Sequence, residues 1–559
     1  MARTTYAEIR HKLVDVTAKP EAVYTLSSKL AKTSYAQIQD DVYRVDADSR
    51  ETLELNLWPL DSSKLIEPDN PATISWGLWT DAVTNADGLF PVAPVLTATF
   101  ASVHTSTGLT FAFAGDTWPR QLTITWYFGA TLLAQQTYTP TGLTYSAARL
   151  VENYNKVTIS FAGTQLPYRR LKITEIDFGS IVTWGKTAPK LISAKVLEEV
   201  DTVSNELTVD TLDFTVHDEE SDFNMLNPGG VYVALQQKQE LEVTEYLDDA
   251  PIKMGKFYLD TWENKSPTVA DFSACSIMGV FDKMDYKTSQ LWAGTAASTV
   301  FADIFAAAGF TKYTIDPVVG AELVRGCMPI VSVREALQIL CFSLRAACIT
   351  ARDGTVQILR LPTGATPQLI EKSQKLGEPK VAQRAVVNSV LVTSHTFTAA
   401  ATAQELYKDT LAVGTYEVTF GTQATGLTIT GATIVSSGVN YAKITVATAG
   451  AVTITGKALT DNKRTHLYES PGLSTATRSQ VKVEDIPLIS TANADGVAQF
   501  LHADYQRRII QKFKIQVVDE AVGDNLDVDT MLGARKDGVI TRMDINLTGG
   551  FLADCEVRG

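Results

Sequence analysis

Cysteine and histidine are scarce in this sequence, and neither type clusters. Five cysteines and six histidines serve 559 residues. No two cysteines have the CxxC spacing of a zinc knuckle or a redox dithiol. No two histidines lie within ten residues of each other, so helical metal-binding pairs are absent. We expect the cysteines to be small buried side chains in a reducing compartment. The sequence predicts neither a metal nor a cofactor.

The motifs of common enzyme sites are missing as well. GxSxG, GxxxxGK[ST] and GxGxxG do not occur, which removes the usual signs of a serine hydrolase and of phosphate-binding loops. A Ser–His–Asp set assembled from distant segments stays open, because such triads are defined by geometry and not by sequence order. We predict that the protein is not an enzyme.

Long apolar runs and an excess of positive charge are also lacking. No run of 18 apolar residues exists, so no membrane-spanning helix is predicted. The 49 Lys and Arg residues against 63 Asp and Glu give a net charge of −14, which argues against a protein that coats nucleic acid. The N-terminal stretch MARTTYAEIRHKLVDV carries charges throughout and does not have the apolar core of a secretory signal.

What the sequence does contain is mainly β pattern. Between about residues 72 and 179, short alternating or apolar segments are separated by Gly, Pro or Asn, which is typical of a β-sandwich or jelly roll. They are PVLTATF, LTFAFAG, QLTITWYFG, KVTISFAG and RRLKITEIDFG. Further strands, KLISAKVLEEV and LTVDTLDFTVHD, follow from about residue 190.

Helices and one compositional island interrupt the β pattern, and a helix is also predicted within STANADGVAQFLHADYQRRIIQKF near the C-terminus. ASTVFADIFAAAGF and SVREALQILCFSLRAACIT have helical periodicity, and in the second Ser332 precedes Glu335 by three residues, as in a capping box. Cys341 and Cys348 are seven apart, which predicts one buried face of that helix. Residues 398–460 are rich in Thr, Ala, Val and Gly and predict a small inserted all-β domain. We expect the edges of that domain to be covered, by neighbouring subunits among other possibilities.

These segments, in this order, resemble the baseplate hub proteins of bacteriophage tails, a family that includes tail-associated and tail-tip hub proteins. The resemblance is carried by three hub segments and two N-terminal ones, the latter similar to a β-sandwich that decorates many hubs. They are LTVDTLDFTVHDEESDFNMLNPGG with GKFYLDTWENKSPTVADFSACSIMGVFDKMDY; SVREALQILCFSLRAACITARDGTVQILRL; VGDNLDVDTMLGARKDGVITRMDINLTGGFLADCEVRG; WGLWTDAVTNADGLFPVAPVLTATF; and VENYNKVTISFAGTQLPYRRLKITEIDFG.

The resemblance implies a mainly β, multidomain (α+β) protein, with tube-like β-barrel hub domains and inserted β-sandwich domains. It divides the chain into six parts. They are 1–50, an N-terminal hub segment; 51–189, the sandwich or jelly-roll-like domain; 190–290, a tube-like hub β-domain; 291–397, a helix-containing hub domain; 398–460, the inserted all-β domain; and 461–559, a C-terminal α+β hub domain.

The function implied by the resemblance is a structural hub of the tail tip or baseplate. Such a hub is a homotrimer in the virion, assembled in the bacterial cytoplasm. It joins the hexameric tail tube to a spike or fibre and forms the channel for DNA ejection. The implied partners are the distal tail protein, tube proteins, tape measure protein and, in passing, phage DNA. An acidic channel wall would repel that DNA.

Two alternatives to a purely structural hub stay open. One is a tail-associated peptidoglycan hydrolase, but the sequence ends at Gly559 without the lysozyme or peptidase region of many tail-associated hubs, so no catalytic residue carries over. The other is a receptor- or glycan-binding tail protein, whose host cell-wall glycan would stack on aromatic rings. The candidate glycan contacts are Trp76, Trp79, Trp118, Trp126 and Tyr127, for which core packing is the competing interpretation. The side chains of Trp126 and Tyr127 point to opposite faces of one strand.

An acidic stretch offers the one metal-like pattern. Asp218, Glu219, Glu220, Asp222 and Asn224 lie close together in sequence, but the glycine and the distal glutamate of a calcium loop are not in register. We therefore interpret it as a solvated acidic turn.

Overall fold

The computed structural model of the chain is dominated by β-strands. It describes residues 4–39, 54, 55, 57, 76–185, 190–227, 230–370, 373–472, 474, 477–529 and 535–559. Most of residues 40–75, at the predicted junction of the N-terminal segment and the sandwich, lie outside this description. Strands make up 55% and helices 11% of the structure, and several separate sheets are present. The predicted mainly β, multidomain class is confirmed.

The described residues of the first third of the chain form nine strands and one short helix. They are β1 (Thr5–Val14), α1 (Ala18–Glu21), β2 (Val23–Leu26), β3 (Leu78–Trp79), β4 (Val95–Phe113), β5 (Pro119–Phe128), β6 (Thr131–Tyr138), β7 (Thr144–Thr164), β8 (Lys172–Asp177) and β9 (Gly179–Trp184). A 3₁₀ turn covers Tyr35–Ile38.

Seven of these strands, β2 to β8, form one antiparallel sheet around its own core. Its order is β3-β8-β4-β7-β5-β6, with β2 paired to β4. The register between β4 and β7 shifts repeatedly from Thr99 to Gly108, so these long strands bend and the sheet curls around Phe111, Trp126 and Phe161. The segments PVLTATF and LTFAFAG are therefore two parts of the single bent strand β4.

The middle of the chain contributes five long strands and then the helical region. The elements are β10 (Lys190–Glu199), β11 (Thr211–His217), β12 (Glu240–Leu247), β13 (Ala250–Ser266), β14 (Val269–Cys275), α2 (Ile277–Phe281), β15 (Asp285–Tyr286), β16 (Trp292–Ala296), α3 (Ala297–Ala307), β17 (Tyr313–Ile315), α4 (Pro317–Gly320), β18 (Leu323–Gly326), β19 (Val331–Ser332), α5 (Val333–Leu344), β20 (Ala347–Thr350) and β21 (Val356–Leu359). A second 3₁₀ turn covers Val231–Ala234.

Helix α5 begins as its sequence predicts and ends earlier. The Ser332 hydroxyl accepts a hydrogen bond from the Glu335 amide at 3.1 Å, which confirms this half of the capping pattern. Arg345 takes the left-handed conformation (φ 58°) at the C-cap and stops the helix at Leu344. Cys348 consequently lies on β20, so the prediction that it shares a helical face with Cys341 is wrong, although both side chains are buried.

Where the last third of the chain is described, it forms fourteen strands and one helix. They are β22 (Thr363–Ile370), β23 (Lys375–Gln383), β24 (Ser389–Ala399), β25 (Gln404–Leu411), β26 (Gly414–Thr419), β27 (Ala424–Thr430), β28 (Thr433–Gly438), β29 (Tyr441–Val446), β30 (Gly450–Glu469), β31 (Gln480–Val483), α6 (Ala494–Gln506), β32 (Ile509–Gln516), β33 (Asp524–Asp529), β34 (Arg535–Asn546) and β35 (Leu552–Arg558).

The Thr-rich island folds into two small facing sheets. Strands β25 and β27 flank the first part of β30, and β26 and β28 flank β29. Ile444, Val452 and Ile454 are buried between the two sheets. The chain passes directly from β25 to β26 and from β27 to β28, so it connects the edges of one sheet to those of the other on both sides. Covering of the strand edges by neighbouring subunits stays a prediction.

A thirteen-stranded sheet joins both ends of the chain to its middle. Its order is β23-β32-β35-β34-β10-β11-β14-β13-β12-β1-β9, with β33 paired to β34 and β22 to β33. We call β1 and β9 to β14 the first half, and β22, β23 and β32 to β35 the second half. The halves meet where β10 pairs with β34, from Lys195 opposite Asn546 to Glu199 opposite Arg542. The two halves share one apolar core.

Candidate functional site

The face of the thirteen-stranded sheet opposite its apolar core carries charged and hydroxyl side chains. Successive side chains of a strand point to opposite faces. In β11, for example, Leu212 and Phe214 are buried while Asp213 is exposed. We call the part of this surface that surrounds the two concavities of the sheet the polar face. Its charged residues are Lys195, Glu199, Asp213, Glu263, Lys265, Asp271, Lys380, Lys512, Lys514, Arg542, Asp544, Asp554 and Glu556.

The polar face is concave in both halves of the sheet. A cavity of about 550 Å³ is lined by β10, β11, β13 and β14, together with Asn546 of β34. A second cavity of about 380 Å³ is lined by β23, β32, β34 and β35. Asp544 borders the second cavity, and its ion-pair partner Lys195 borders the first. The two concavities therefore adjoin at the junction of the halves.

Ion pairs between neighbouring strands connect the charges of the polar face. Lys195 pairs with Asp544 at 2.7 Å, Lys512 with Glu556 at 2.7 Å and Lys514 with Asp554 at 3.4 Å. Arg542 pairs with Glu199 across the junction of the halves. Lys265 pairs with Asp271, which raises the pKa of the lysine through its hydrogen bond. Five of the six basic residues of the polar face thus have a carboxylate partner.

Charge on the polar face is mixed and nearly balanced. Six basic residues stand against seven carboxylates, although the whole chain has a net charge of −14. The basic side chains in the five ion pairs are 44–59% exposed. Exposed pairs of this kind contribute little to folding stability, typically about 0–1 kcal/mol each. Their main effect is on the electrostatic potential of the surface.

Ion pairs between neighbouring strands continue toward the far edge of the first half, where the charged side chains are less exposed. Glu240 on β12 contacts Lys12 at 2.7 Å and Lys256 at 3.1 Å. Burial acts to raise the pKa of Glu240, but attraction and hydrogen bonds from the two lysines outweigh it and lower the pKa to about 2. This carboxylate is therefore ionised throughout the physiological range.

The five aromatic residues predicted to contact glycan are separated by the fold. Trp79 and Trp126 are fully buried, and Trp76 stacks on Trp79 with ring centroids 4.7 Å apart. Trp118 is half-buried and donates its indole N–H to the Pro140 carbonyl at 3.1 Å. Tyr127 is half-buried, with the Lys156 ammonium 4.5 Å from its ring centre. Glycan contact stays a prediction, for which Trp118 and Tyr127 are the partly exposed members.

One Ser–His–Asp set is assembled from distant segments. The Ser394 hydroxyl on β24 is 3.0 Å from Nε2 of His466, and Nδ1 of His466 is 2.8 Å from the Asp495 carboxylate. In a catalytic triad the serine is accessible to substrate and the acid is buried. In this protein Ser394 is fully buried and the Asp495 side chain is 77% exposed. The serine is buried and the aspartate is exposed, which is the opposite of a catalytic triad. The two hydrogen bonds connect β24, β30 and α6.

We expect Ser394 to be unreactive toward a fluorophosphonate probe, which labels activated and accessible serines. Intact-protein mass spectrometry after incubation should show no adduct at Ser394, with subtilisin as the positive control. The buried hydroxyl cannot reach the phosphorus atom without local opening of β24. Labelling that is lost in Ser394→Ala would contradict this expectation and would revive the hydrolase alternative.

The part of the chain that is described contains neither a cluster of metal-binding side chains nor a membrane-spanning helix. No group of three or more His, Cys, Asp or Glu side chains there is arranged to hold a metal ion. In the acidic stretch, Asp218 accepts a hydrogen bond from the Phe223 amide at 2.7 Å, as in a turn. Among the same residues, no helix combines the length and apolarity that crossing a bilayer requires.

Comparison with known proteins gives similar solved structures but no similar family or curated protein. No family model matches the chain, and no curated protein matches it. The solved structures to which it is similar include tail proteins of prophages, the class that the sequence resemblance predicted.

Three of these structures are similar to this chain over about the same extent. The tail protein from Neisseria meningitidis MC58 has 10% identity and a TM-score of 0.40, covering 66% of this chain and 92% of that one. Prophage tail protein gp18 from Listeria monocytogenes has 9% identity and a TM-score of 0.38, covering 66% and 87%. The 43 kDa tail protein of prophage MuSo2 from Shewanella oneidensis has 9% identity and a TM-score of 0.36, covering 65% and 93%.

Proposed function

We propose that the protein is a non-catalytic structural hub of a phage tail tip, a homotrimer whose polar faces line the channel for DNA. The observation that carries the proposal is the single sheet built from two halves with one continuous concave polar face. A surface that is charged, concave and set opposite the core suits a water-filled lumen.

Three copies of a sheet with two halves would connect a sixfold partner to a threefold one. Three chains around a closed axis present six halves to the hexameric tail tube and leave a threefold end for a spike or fibre. In this proposal, segments 190–290 and 461–559 supply the tube-like domains, and β1, β9, β22 and β23 add strands to them. The distal tail protein and the tape measure protein are proposed partners at the same ring.

The outermost strand β23 is the proposed contact between copies. A sheet edge offers unpaired backbone groups to another chain, and β23 also exposes Leu376 (50%) and Val381 (56%). Burying these side chains against the next copy would close the ring. The matching surface on the neighbour lies toward the other end of the sheet, as closure by rotation requires.

The purified chain should have a mass near 182 kDa, three times 60.8 kDa, in light scattering coupled to size exclusion. Negative-stain microscopy should show a central channel. Val381→Asp should shift the mass toward one chain, because a carboxylate cannot be buried unpaired in that contact. The matched control is Val435→Asp, at a residue that is 61% exposed on the Thr-rich island and should leave the mass unchanged. A stable monomer of the unaltered chain would overturn the proposal.

A further inference from the structure

We infer that the polar face is a charge-paired surface for double-stranded DNA in transit, on which carboxylates keep the basic side chains from holding phosphates. The inference rests on the proposed function for its biological setting and deepens it. It differs from the acidic wall considered from composition, because the polar face has nearly equal numbers of positive and negative side chains.

The geometry shows how the basic residues are occupied. Lys512 and Lys514 alternate with buried residues on β32, and each is opposite a carboxylate on β35, Glu556 or Asp554. The register sets Lys512 against Glu556 and Lys514 against Asp554 as direct cross-strand partners. Opposite charges directly across a pair of strands attract each other. The pairing is therefore a consequence of register.

The same pattern crosses the junction of the two halves. Lys195 and Glu199 on β10 reach Asp544 and Arg542 on β34, so the sign of the charge is exchanged between the two contacts. On the first half, Asp271 holds Lys265 and also accepts a hydrogen bond from the Thr215 hydroxyl at 2.7 Å. Carboxylates are thus placed beside five of the six basic groups of the polar face.

This arrangement matters because of how proteins bind duplex DNA. Affinity that is independent of sequence comes from Lys and Arg side chains that neutralise phosphates and release counterions. A lysine held by a carboxylate must give up that partner before it contacts a phosphate. A channel wall of unpaired basic side chains would retain the duplex. A wall whose basic side chains are paired with carboxylates lets the duplex pass and remains hydrated.

The inference is tested by removing the carboxylates while the lysines and the arginine stay. The face variant carries Glu199→Gln, Asp544→Asn, Asp554→Asn and Glu556→Gln, which frees Lys195, Lys512, Lys514 and Arg542. The control variant carries four substitutions at exposed carboxylates outside the polar face, Asp87→Asn, Glu152→Gln, Glu405→Gln and Asp485→Asn. Both change the net charge from −14 to −10, so only the location of the change differs.

Binding is measured by fluorescence anisotropy of a labelled DNA duplex added to each full-length protein. The face variant should bind about tenfold or more tightly than the control variant and the unaltered protein. Its affinity should fall with salt at a logarithmic slope of about 3 to 4, as expected for four phosphate contacts. Equal binding by the two variants, or tight binding by the unaltered protein, would overturn the inference.

The mass of each protein is measured with and without Val381→Asp. The anisotropy titrations are made in the Val381→Asp background, in which the polar face of the single chain is open to solvent, so they report on charge pairing whether or not the unaltered chain forms a ring. Failure of the proposed trimer therefore appears in the mass alone. Failure of the charge-paired surface appears in the titration alone.

Discussion

Protonation of His11 is expected to destabilise the large sheet as the pH falls below 6.5. This side chain lies fully buried on β1, with its ring centre 5.1 Å from that of Trp184 and 6.2 Å from that of Phe272. Burial lowers its pKa to about 3, and the hydrogen bond with Gln239, 3.2 Å long, opposes that shift only in part. The native sheet therefore contains a neutral imidazole.

The direction of the pH effect follows from the two pKa values. In the unfolded chain His11 takes up a proton near pH 6.5, whereas in the native sheet it does so only near pH 3. The stability that the neutral form contributes is fully present above pH 6.5 and is lost as the pH falls toward 3. The slope is about 1.4 kcal/mol per pH unit, and the complete loss is roughly 5 kcal/mol.

The variant His11→Leu should flatten this pH dependence. Because leucine removes the partner of the Gln239 amide oxygen, the variant is also expected to lose about 1–3 kcal/mol at neutral pH. The comparison therefore uses the change between pH 7 and pH 4, measured by hydrogen exchange of the peptide that contains β1. The control is His217→Gln, at a side chain that is 38% exposed and should leave the change unaltered. Equal pH dependence in the unaltered protein and in His11→Leu would show that the effect arises elsewhere.

Replacing Arg352 by methionine should lower the free energy of unfolding by about 3–5 kcal/mol, the usual cost of removing one partner of a buried ion pair. The guanidinium donates to both oxygens of Glu198 on β10, at 2.6 and 2.9 Å, and to the Glu520 carbonyl at 2.9 Å. Its side chain is 14% exposed and that of Glu198 only 8%. Arg352 thus ties the turn after β20 to both halves of the sheet.

A carboxylate near this pair increases the expected loss. Asp210 is buried beside Glu198, and burial holds its pKa well above the ordinary value, with Arg352 acting in the opposite direction. Without the guanidinium, the Glu198 charge would be left buried next to this acidic group. Uptake of a proton by Asp210, whose pKa is already raised, would relieve part of that cost, so the loss in Arg352→Met should shrink as the pH is lowered.

The double variant Arg352→Met with Glu198→Met separates the interaction from simple loss of packing. Replacement of both charges by apolar side chains leaves no unpaired ion, so the double variant should recover most of the stability lost by the single one. The surface control is Lys408→Met, whose pair with Glu405 is more than half exposed on both sides and should be worth less than about 1 kcal/mol. Urea unfolding followed by circular dichroism gives the comparison. A double variant as unstable as the single one would contradict the ion-pair explanation.

Features of the fold that depend on residues close together in sequence could be predicted from the sequence alone. Alternation of apolar and polar residues in KLISAKVLEEV and LTVDTLDFTVHD indicates β10 and β11, since a strand sends successive side chains to opposite faces. The hydroxyl of Ser332 and the amide of Glu335 identify the start of α5 for the same reason. The end of α5 was predicted wrongly, because Arg345 adopts a left-handed conformation that its residue type does not signal.

The candidate site depended on contacts between residues far apart in sequence. Alternating charges in KFKIQ and ADCEVRG signal that a polar face exists, but not which strands lie beside each other. Arg542 and Glu199 are 343 residues apart, and their contact follows from the pairing of β10 with β34. The aromatic candidates were separated in the same way, because burial of Trp79 and Trp126 is decided by how β3 to β8 curl around their core.

By itself, the sequence determined the class of the protein: a mainly β chain with an acidic net charge and without common metal or nucleotide motifs. It also determined which side chains of each strand share a face, because the period of a strand is a property of the backbone. Only the tertiary structure decided that the two halves form one sheet and that five of the six basic residues of the polar face are paired with carboxylates. It alone decided that Ser394 is buried behind His466. The reason is physical: strand pairing is selected by the packing of whole apolar faces, which no single segment contains.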